Sequence, residues 1–359
     1  MNSLWINTFR LCFCWICIVT VTFMVGYWFH KYEIEDRDIG VVDYQSFAEA
    51  NEVDFPVPYL CFLNPFLKKK FKDIDSEVNV TAYLQYLKGD IFDKSFRNID
   101  YQNVTLDLEE YFVTASEKFL NQSEFQKSNR SFVHKEIFSG VFYHGDFVKC
   151  FSFESELKYN HHIHEIALQY NKTKLFDDLG VSDESSLDFY FNIYYPDQFL
   201  LKINTPVHMS MSHLSYNLNM WIGDLEMLTR RTTRKKKCTQ TKKSFDDLVL
   251  SEHIKTVGCR PPYLGSHTEF PMCNTQEKIR EGMYEFKSVR NKYYPKACTR
   301  ISKITVTRQA SAHTEDLGYW ILGITYPEEV RLITQSKEVD VHTLIGNIGG
   351  YIGLFLGIL

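Results

Sequence analysis

Two uncharged runs near the ends of the chain dominate its pattern of hydrophobic and polar positions. The first covers residues 11–29 and reads LCFCWICIVTVTFMVGYWF. Because about 20 apolar residues span the hydrocarbon core of a bilayer as a helix, this run predicts a transmembrane helix. A secretory signal peptide is the alternative, but its apolar core is only about 7–15 residues long and ends at a small-residue cleavage site. Here Tyr27 and Trp28 instead lie where aromatic side chains anchor at a membrane interface.

The charges on either side of the first run predict its orientation. Arg10 precedes the run, whereas the segment 30–38, HKYEIEDRD, is acidic on balance. Since basic residues favour the cytosolic side of a membrane helix, residues 1–10 are expected to form a short cytosolic N-terminus.

The second uncharged run covers residues 344–359 and reads LIGNIGGYIGLFLGIL. It is shorter than a full span, so we interpret it as the start of a second transmembrane helix that is truncated at the chain end. A buried C-terminal helix is the alternative.

Glycines form a stripe along the second run. They recur at intervals of four, three and four residues and fall on one face of a helix: Gly346, Gly350, Gly353 and Gly357. The opposite face carries bulky residues that are expected to meet lipid: Leu344, Ile348, Ile352, Phe355 and Leu359. Because each glycine weakens an isolated helix by about 1 kcal/mol, the stripe indicates a packing or pore function. Helix dimerisation and a pore lining both remain open.

The cysteines and the glycosylation motifs indicate an oxidising, extracellular environment for the middle of the chain. Cys12, Cys14 and Cys17 lie in the first run and are interpreted as small apolar helix residues. Six further cysteines lie between the two runs, at a number and placement typical of disulfides: Cys61, Cys150, Cys238, Cys259, Cys273 and Cys298. Their pairing is open from sequence alone, and reduced cytosolic cysteines are the alternative.

Five Asn-x-Ser/Thr acceptor motifs count against that alternative, at Asn79, Asn103, Asn121, Asn129 and Asn171. Together with the cysteines they place residues 30–343 outside the cell as a glycosylated domain.

The middle of the chain predicts a mixed α+β domain. Residues 55–66, 187–209 and 302–334 are rich in β-branched and aromatic residues and predict strands. Apolar positions at helical spacing predict one or two surface helices within residues 106–128. The predicted fold class is therefore an α+β membrane protein, with two transmembrane helices flanking a large disulfide-bonded extracellular domain.

The charge of the chain and its potential metal-ligating or catalytic residues limit the possible functions further. The net charge of -5 does not favour nucleic acid as a partner. A basic run at residues 230–237 is interpreted as a solvated loop that could bind an acidic partner or a glycan. His161, His162 and His164 lack matching metal-ligand spacing, so an exposed strand or loop is favoured over a metal site. No catalytic motif is present in the sequence, so an enzyme is not expected.

Two stretches resemble one family. Residues 55–66, FPVPYLCFLNPF, resemble the FPAVTxCNLNPF-like stretch after the first membrane helix of the epithelial sodium channel/degenerin/acid-sensing ion channel family. Residues 348–357, IGGYIGLFLG, resemble the IGGxxGLFxG start of its second membrane helix. The two stretches lie at opposite ends of the ectodomain, and the sparse cysteines resemble an invertebrate, pickpocket-like member.

The resemblance implies a trimeric, amiloride-sensitive channel in the plasma membrane, built from identical or related subunits in contact with lipid. Each subunit would have two membrane helices, a hand-shaped ectodomain and both termini in the cytosol. Ligands, protons or force would open the channel, Na⁺ would be the permeant ion, and no cofactor or metal is implied. A narrow ring of charges or hydrogen-bond acceptors would select the ion.

The resemblance also assigns residues. The pore and gate would comprise Gly346, Asn347, Gly349, Gly350, Gly353 and Gly357. The implied disulfides are Cys61–Cys150, Cys259–Cys273 and Cys238–Cys298.

The chain departs from the family pattern at both ends. The filter of the family reads Gly-x-Ser after GLF-x, whereas these positions here are Gly357, Ile358 and Leu359. The His-Gly gating motif of the family lies in a longer N-terminus than residues 1–10. The alternative function is therefore a non-conducting regulatory or receptor-like membrane glycoprotein of the same fold.

Overall fold

The chain folds into two units of mixed helix and sheet. The computed structural model describes residues 2–356, apart from gaps at 36, 47–56, 75–77, 120–122, 129–131, 142–146, 156–162, 181–187, 195–197, 203–209, 214–215, 234–236, 239–243, 265–268, 294–296 and 313–317. Unit 1 consists of Met1–Asp43, Leu228–Thr239 and Ile333–Leu359, and unit 2 of Tyr44–Met227 and Gln240–Leu332.

Unit 1 is built around two apolar helices, α1 (Asn2–His30) and α9 (Val341–Leu356). α1 continues into a π-helical turn, Lys31–Glu35. Within the described residues, one helical stretch is long and apolar enough to cross a membrane, and it covers Thr8–Glu35. α9 has 16 described residues and packs against α1.

Strands follow and precede these helices directly. β1 (Asp38–Ser46) begins shortly after the π-helical turn, and β13 (Glu329–Lys337) ends shortly before α9. The two strands are neighbours in one sheet. The chain segments that leave α1 and lead into α9 are therefore held side by side.

Unit 2 contains a large and a small sheet. Apart from β1, which neighbours β13, the strands of the large sheet are β3 (Phe112–Phe119), β4 (Gln126–Lys127), β7 (Ile163–Asn171), β10 (Tyr216–Thr229), β11 (Thr299–Ala312), β12 (Tyr319–Thr325) and β13. Their order is β13-β10-β12-β7-β3-β4, and β11 also pairs with β10. β10 and β12 run parallel, whereas β12, β7, β3 and β4 are successively antiparallel.

The small sheet is antiparallel throughout its described pairs. Its strands are β2 (Val57–Leu63), β5 (Phe132–Val141), β6 (Phe147–Ser155), β8 (Asp188–Tyr194) and β9 (Ser210–His213), in the order β5-β6-β2-β8-β9.

The helices of unit 2 are mostly short. They are α2 (Lys68–Ile74), α3 (Val80–Leu87), α4 (Tyr101–Val104), α5 (Lys172–Leu179), α6 (Phe199–Lys202), α7 (Phe245–Val257) and α8 (Gln276–Tyr293), with 3-10 turns at Lys94–Asn98 and Leu108–Tyr111. α7 packs against α8. It begins at Ser244, whose hydroxyl accepts from the Asp247 N–H, and it ends at Gly258, whose φ of 83° places it in the left-handed region.

The small sheet is buried on both faces. Because successive side chains of a strand alternate between faces, Leu60 and Phe62 of β2 enter a core shared with the large sheet. Tyr59 and Cys61 enter a second core shared with helices such as α3 and α7. Unit 2 therefore has three layers: large sheet, small sheet and helices.

The predicted surface helices within residues 106–128 are wrong. The described part of this stretch holds a 3-10 turn followed by β3, which pairs along most of its length with β7. Leu106, Leu108 and Tyr111 are buried in the core between the sheets. Their spacing is therefore set by the packing of an irregular segment into the core, and these residues do not form one face of a helix.

The predicted strands are largely confirmed. β2 lies within residues 55–66, and β12, most of β11 and much of β13 lie within residues 302–334. Residues 187–209 contain β8 but also the short helix α6.

The structure contains the disulfides Cys61–Cys150 and Cys259–Cys273 that the resemblance implies. Cys61 lies directly opposite Cys150 in the pairing of β2 with β6. Cys259 and Cys273 lie in the segment between α7 and α8. Cys238 and Cys298 are disulfide-bonded as well.

Loss of these disulfides is expected to destabilise unit 2 to different extents. The Cys61–Cys150 bond joins residues 89 apart in sequence, so replacing both cysteines by alanine should lower the free energy of unfolding by about 4–5 kcal/mol. The Cys259–Cys273 bond joins residues 14 apart, and its removal should cost about 3 kcal/mol. Urea denaturation of the full chain in detergent, followed by tryptophan fluorescence, measures both losses. A larger loss for the Cys259–Cys273 pair would contradict the loop-closure argument.

Candidate functional site

The predicted pore and gate residues lie along one described helix. Gly346, Gly349, Gly350 and Gly353 all belong to α9, and a Cβ atom added at any of them would meet no heavy atom within 4 Å. Gly357 lies outside the described residues. The glycine face of α9 is thus uncovered by any described part of the chain.

The opposite face of α9 is the one that is packed. Leu344 is 6% exposed, and Ile348, Tyr351 and Phe355 are half-buried on the same side of the helix. The rings of Tyr351 and Phe355 stack with their centroids 6.4 Å apart. Since α9 packs against α1 and not through its glycines, we infer that this bulky face meets α1.

This packing corrects the prediction that the bulky face of α9 meets lipid. Leu344, Ile348 and Phe355 lose exposure within the chain because α1 is itself an apolar surface that they can cover. Ile352 remains 42% exposed, and its contact with lipid stays a prediction. Leu359 lies outside the described residues. Asn347 is half-buried and lies nearer the packed face than the glycine face.

Asp340 fixes the first turn of α9. Its Oδ1 accepts a hydrogen bond of 2.6 Å from the Thr343 N–H, and its carbonyl accepts from the Leu344 N–H at 2.9 Å. The hydrogen bond from the Thr343 backbone lowers the pKa of the Asp340 carboxyl. An ionised aspartate at this position also suits the positive end of the helix dipole.

Polar contacts tie the end of α1 to the start of α9. The Glu338 N–H donates to the Arg37 carbonyl at 2.9 Å, and the Glu338 carboxylate lies 3.9 Å from the Lys31 ammonium. The Lys337 ammonium lies over the Tyr32 ring. These contacts join the segment that follows α1 to the segment that precedes α9.

Arg231 strengthens the same junction. Its Nη2 and Nε donate to Asp38 Oδ1 at 2.8 and 3.0 Å. The basic run at residues 230–237 was predicted to be a solvated loop, but this member is engaged in an ion pair at the start of β1. The carboxylate that attracts it lies almost 200 positions earlier in the sequence, so local charge pattern could not reveal the pair.

The predicted glycosylation sites fall partly on described residues. Asn79 and Asn103 are exposed and Asn171 is half-buried, whereas Asn121 and Asn129 lie outside the described residues. Asn79 Oδ1 accepts from the Thr81 N–H at 2.8 Å and caps α3. This cap does not involve Nδ2, the atom to which a glycan would be attached. His161 and His162 also lie outside the described residues, and His164 is part of β7.

Unit 2 contains buried ionisable side chains that no local sequence pattern indicates. The His134 ring is buried, with Nδ1 2.6 Å from Glu109 Oε2 and Nε2 2.8 Å from the Tyr170 hydroxyl. Burial lowers the pKa of His134, and the hydrogen bond with Glu109 offsets part of that shift. Lys149 is also buried; burial lowers the pKa of its ammonium, against the attraction of Glu136.

Glycosylation at Asn79 can be tested without disturbing the helix cap. Thr81→Ala removes the acceptor motif but keeps the Asn79 side chain that caps α3, so the protein should fold and lose one glycan. Thr81→Ser keeps the motif and should retain the glycan. Gel mobility before and after treatment with a deglycosidase measures both. A wild-type chain whose mobility does not change with the enzyme would contradict an extracellular residue 79.

Comparisons with known proteins leave the family open. No family model matches the chain, and no curated protein matches it. The structure is similar to a cryo-EM structure of a proton-activated chloride channel, at 8% sequence identity and a TM-score of 0.32, over 99% of this chain and 94% of that chain. A TM-score this low does not establish a shared fold, so we draw no functional conclusion from it.

Proposed function

We propose that the chain is a subunit of a trimeric, amiloride-sensitive sodium channel of the epithelial sodium channel/degenerin/acid-sensing type. The observation that carries the proposal is the division of α9 into a packed bulky face and an open glycine face. Large aliphatic residues of α9 outside the packed face are exposed together with the glycines: Ile345 is 64%, Ile352 42% and Leu354 57% exposed. A helix that only closed the core of a soluble domain would carry polar residues on its exposed side. The open side of α9 is instead apolar, which suits a membrane or an assembly.

The proposed arrangement follows from that division. α1 and α9 cross the plasma membrane together, with α1 on the lipid side and the glycine face of α9 toward the axis shared by three copies. Glycines allow close approach of helices or expose backbone to a water-filled cavity. Na⁺ would then be selected by a narrow ring of hydrogen-bond acceptors.

Gating would pass through the junction of strands and helices. The pairing of β1 with β13 and the contacts of Lys31, Asp38 and Glu338 hold the outer ends of α1 and α9 together. A rearrangement of the extracellular strands would therefore move both helix ends at once.

The direct test is voltage-clamp recording from cells that express the chain alone or with a related subunit. We expect an inward current that amiloride blocks and whose reversal potential follows the Na⁺ gradient. A reversal potential that follows chloride would refute sodium selectivity. Surface expression without current in either combination would favour the non-conducting, regulatory subunit.

The two faces of α9 should respond differently to substitution. Gly346→Val adds bulk where the chain offers open space, so the fold is kept while the proposed pore face is altered, and a constitutive inward current is expected. Ile352→Val conserves apolar character away from the glycine face and should leave the current nearly unchanged. Recordings normalised to surface protein compare the two. Equal effects would contradict the assignment of the glycine face to the pore.

Coupling across the junction can be measured with a double-mutant cycle on Asp38 and Arg231. Asp38→Asn and Arg231→Gln should each change the basal current per surface subunit by up to about fivefold, since either breaks the same ion pair. The double variant should resemble the single variants, because no further interaction is lost. The exposed pair of Asp224 with Lys303, 3.1 Å apart in unit 2, provides the matched control and should have no effect. Strictly additive effects at Asp38 and Arg231 would contradict the coupling.

A further inference from the structure

Unit 2 contains a polar pocket of about 520 Å³ that has no role in ion conduction as proposed. Its walls come from six segments: α2, α4, the loop before the 3-10 turn Leu108–Tyr111, that turn itself, β5 and β6. The charged residues among them are Lys70, Asp107, Glu110, Glu136 and Lys149. A pocket of this size has room for a small organic molecule.

Two of the carboxylates in the pocket are neutralised by lysines. The Lys70 ammonium lies 2.8 Å from Glu110 Oε1, and the Lys149 ammonium lies 3.3 Å from Glu136 Oε2. Gln102 donates to the other oxygen of Glu136 at 3.1 Å. These contacts fix both Glu136 oxygens in place.

Asp107 is the carboxylate of the pocket that has no ion pair. Its Oδ1 accepts a hydrogen bond of 3.1 Å from the Glu109 N–H, and no lysine, arginine or histidine among the described residues forms an ion pair with it. Its charge still attracts the Lys149 ammonium and raises the pKa of Lys149, against the effect of burial. Because burial lowers the pKa of His134, the charged lining consists of the ammoniums of Lys70 and Lys149 and the carboxylates of Asp107, Glu110 and Glu136, so it has one more negative than positive charge.

Lys149 supplies the complementary group. Its side chain is 3% exposed, and its ammonium donates to Thr105 Oγ1 at 3.2 Å and pairs with Glu136. An ammonium has three donors, so one N–H of this buried cation has no oxygen or nitrogen acceptor among the described residues. The ammonium lies 5.7 Å from the centroid of the Phe151 ring, which also lines the pocket. The proximity of Lys70, which helps to lower the pKa of Lys149, adds further positive potential at this end of the pocket.

We propose that this pocket binds a small zwitterion of the amino acid class, with its ammonium on Asp107 and its carboxylate on Lys149. A simple anion would leave Asp107 without an ion pair and would face three carboxylates. A simple cation would leave the buried Lys149 donor without an acceptor, which is costly in a desolvated site. A metal ion is not favoured, since no group of three or more His, Cys, Asp or Glu side chains in the described chain is arranged to hold one.

The glycosylation motif at Asn103 bears on access to the pocket. Asn103 lines the pocket and is exposed, so a glycan there would extend from its rim. Binding should therefore be measured on protein with trimmed glycans, which leaves residue 103 an asparagine.

The test is isothermal titration of the full chain in detergent with four probes. β-Alanine and γ-aminobutyrate are zwitterions of two lengths, and propylamine and propionate each carry one of the two charges. At least one zwitterion should bind at least tenfold more tightly than both single-charge probes. Equal binding of propylamine would overturn the zwitterion in favour of a cation, and no binding of any probe would overturn this ligand class.

Asp107→Asn tests the ammonium contact. Asparagine can still accept from the Glu109 N–H and cap the turn, but it removes the charge, so zwitterion affinity should fall at least tenfold. Asp100→Asn is the matched control, since Asp100 accepts from the Gln102 N–H at 3.1 Å and caps α4 in the same way, does not line the pocket, and gains no glycosylation motif as asparagine. Unchanged affinity in Asp107→Asn, or an equal loss in Asp100→Asn, would overturn the proposal.

Discussion

The burial of β2 on both faces is the constraint on which unit 2 depends. β2 pairs with β6 on one side and β8 on the other, while its side chains enter two different cores. A strand without a solvent face must be apolar at every position, which explains the continuous run of residues 57–63. The Cys61–Cys150 bond then lies inside the layer between sheet and helices, where it pins the register of the two strands.

The polar pocket arises at the edge of this same sheet. Glu136 of β5 lies opposite Phe151 of β6, and His134 lies opposite Phe153. Lys149, two positions before Phe151, shares their face. On the face of the small sheet that packs against the large sheet, the side chains are therefore apolar in the core and polar at the outermost strand, β5. There α2 contributes Lys70 and α4 contributes Gln102. An apolar layer with a charged border allows Lys149 to be buried yet hydrogen-bonded.

Sequence alone predicts features that depend on composition and misses those that depend on long-range packing. The helical first run, the strand around Cys61 and the disulfide-bonded cysteines follow from local pattern or from the family resemblance. The helix prediction for residues 106–128 is wrong because the spacing of the apolar residues there reflects burial in the core between the sheets and not one face of a helix. The pocket could not be predicted from sequence because Lys70, Asp107 and Lys149 are far apart in the chain. Each of them alone has the pattern of a surface charge. The pairing of Arg231 with Asp38 was hidden for the same reason.

The glycines of α9 pose an energetic question that the single chain does not answer. Each costs a helix about 1 kcal/mol relative to alanine, and Gly346, Gly349, Gly350 and Gly353 gain no contact within 4 Å of an added Cβ in return. The buried and half-buried residues of α9 lie on its bulky face, and α9 packs against α1. Compensation for the glycines therefore does not come from the described part of the chain. Close approach of a helix from another chain, or backbone that faces a pore, would supply it. In a symmetric assembly of identical chains, the same stripe would serve both purposes, since helices that meet around a central axis pack closely where the axis is narrow and line a cavity where it widens.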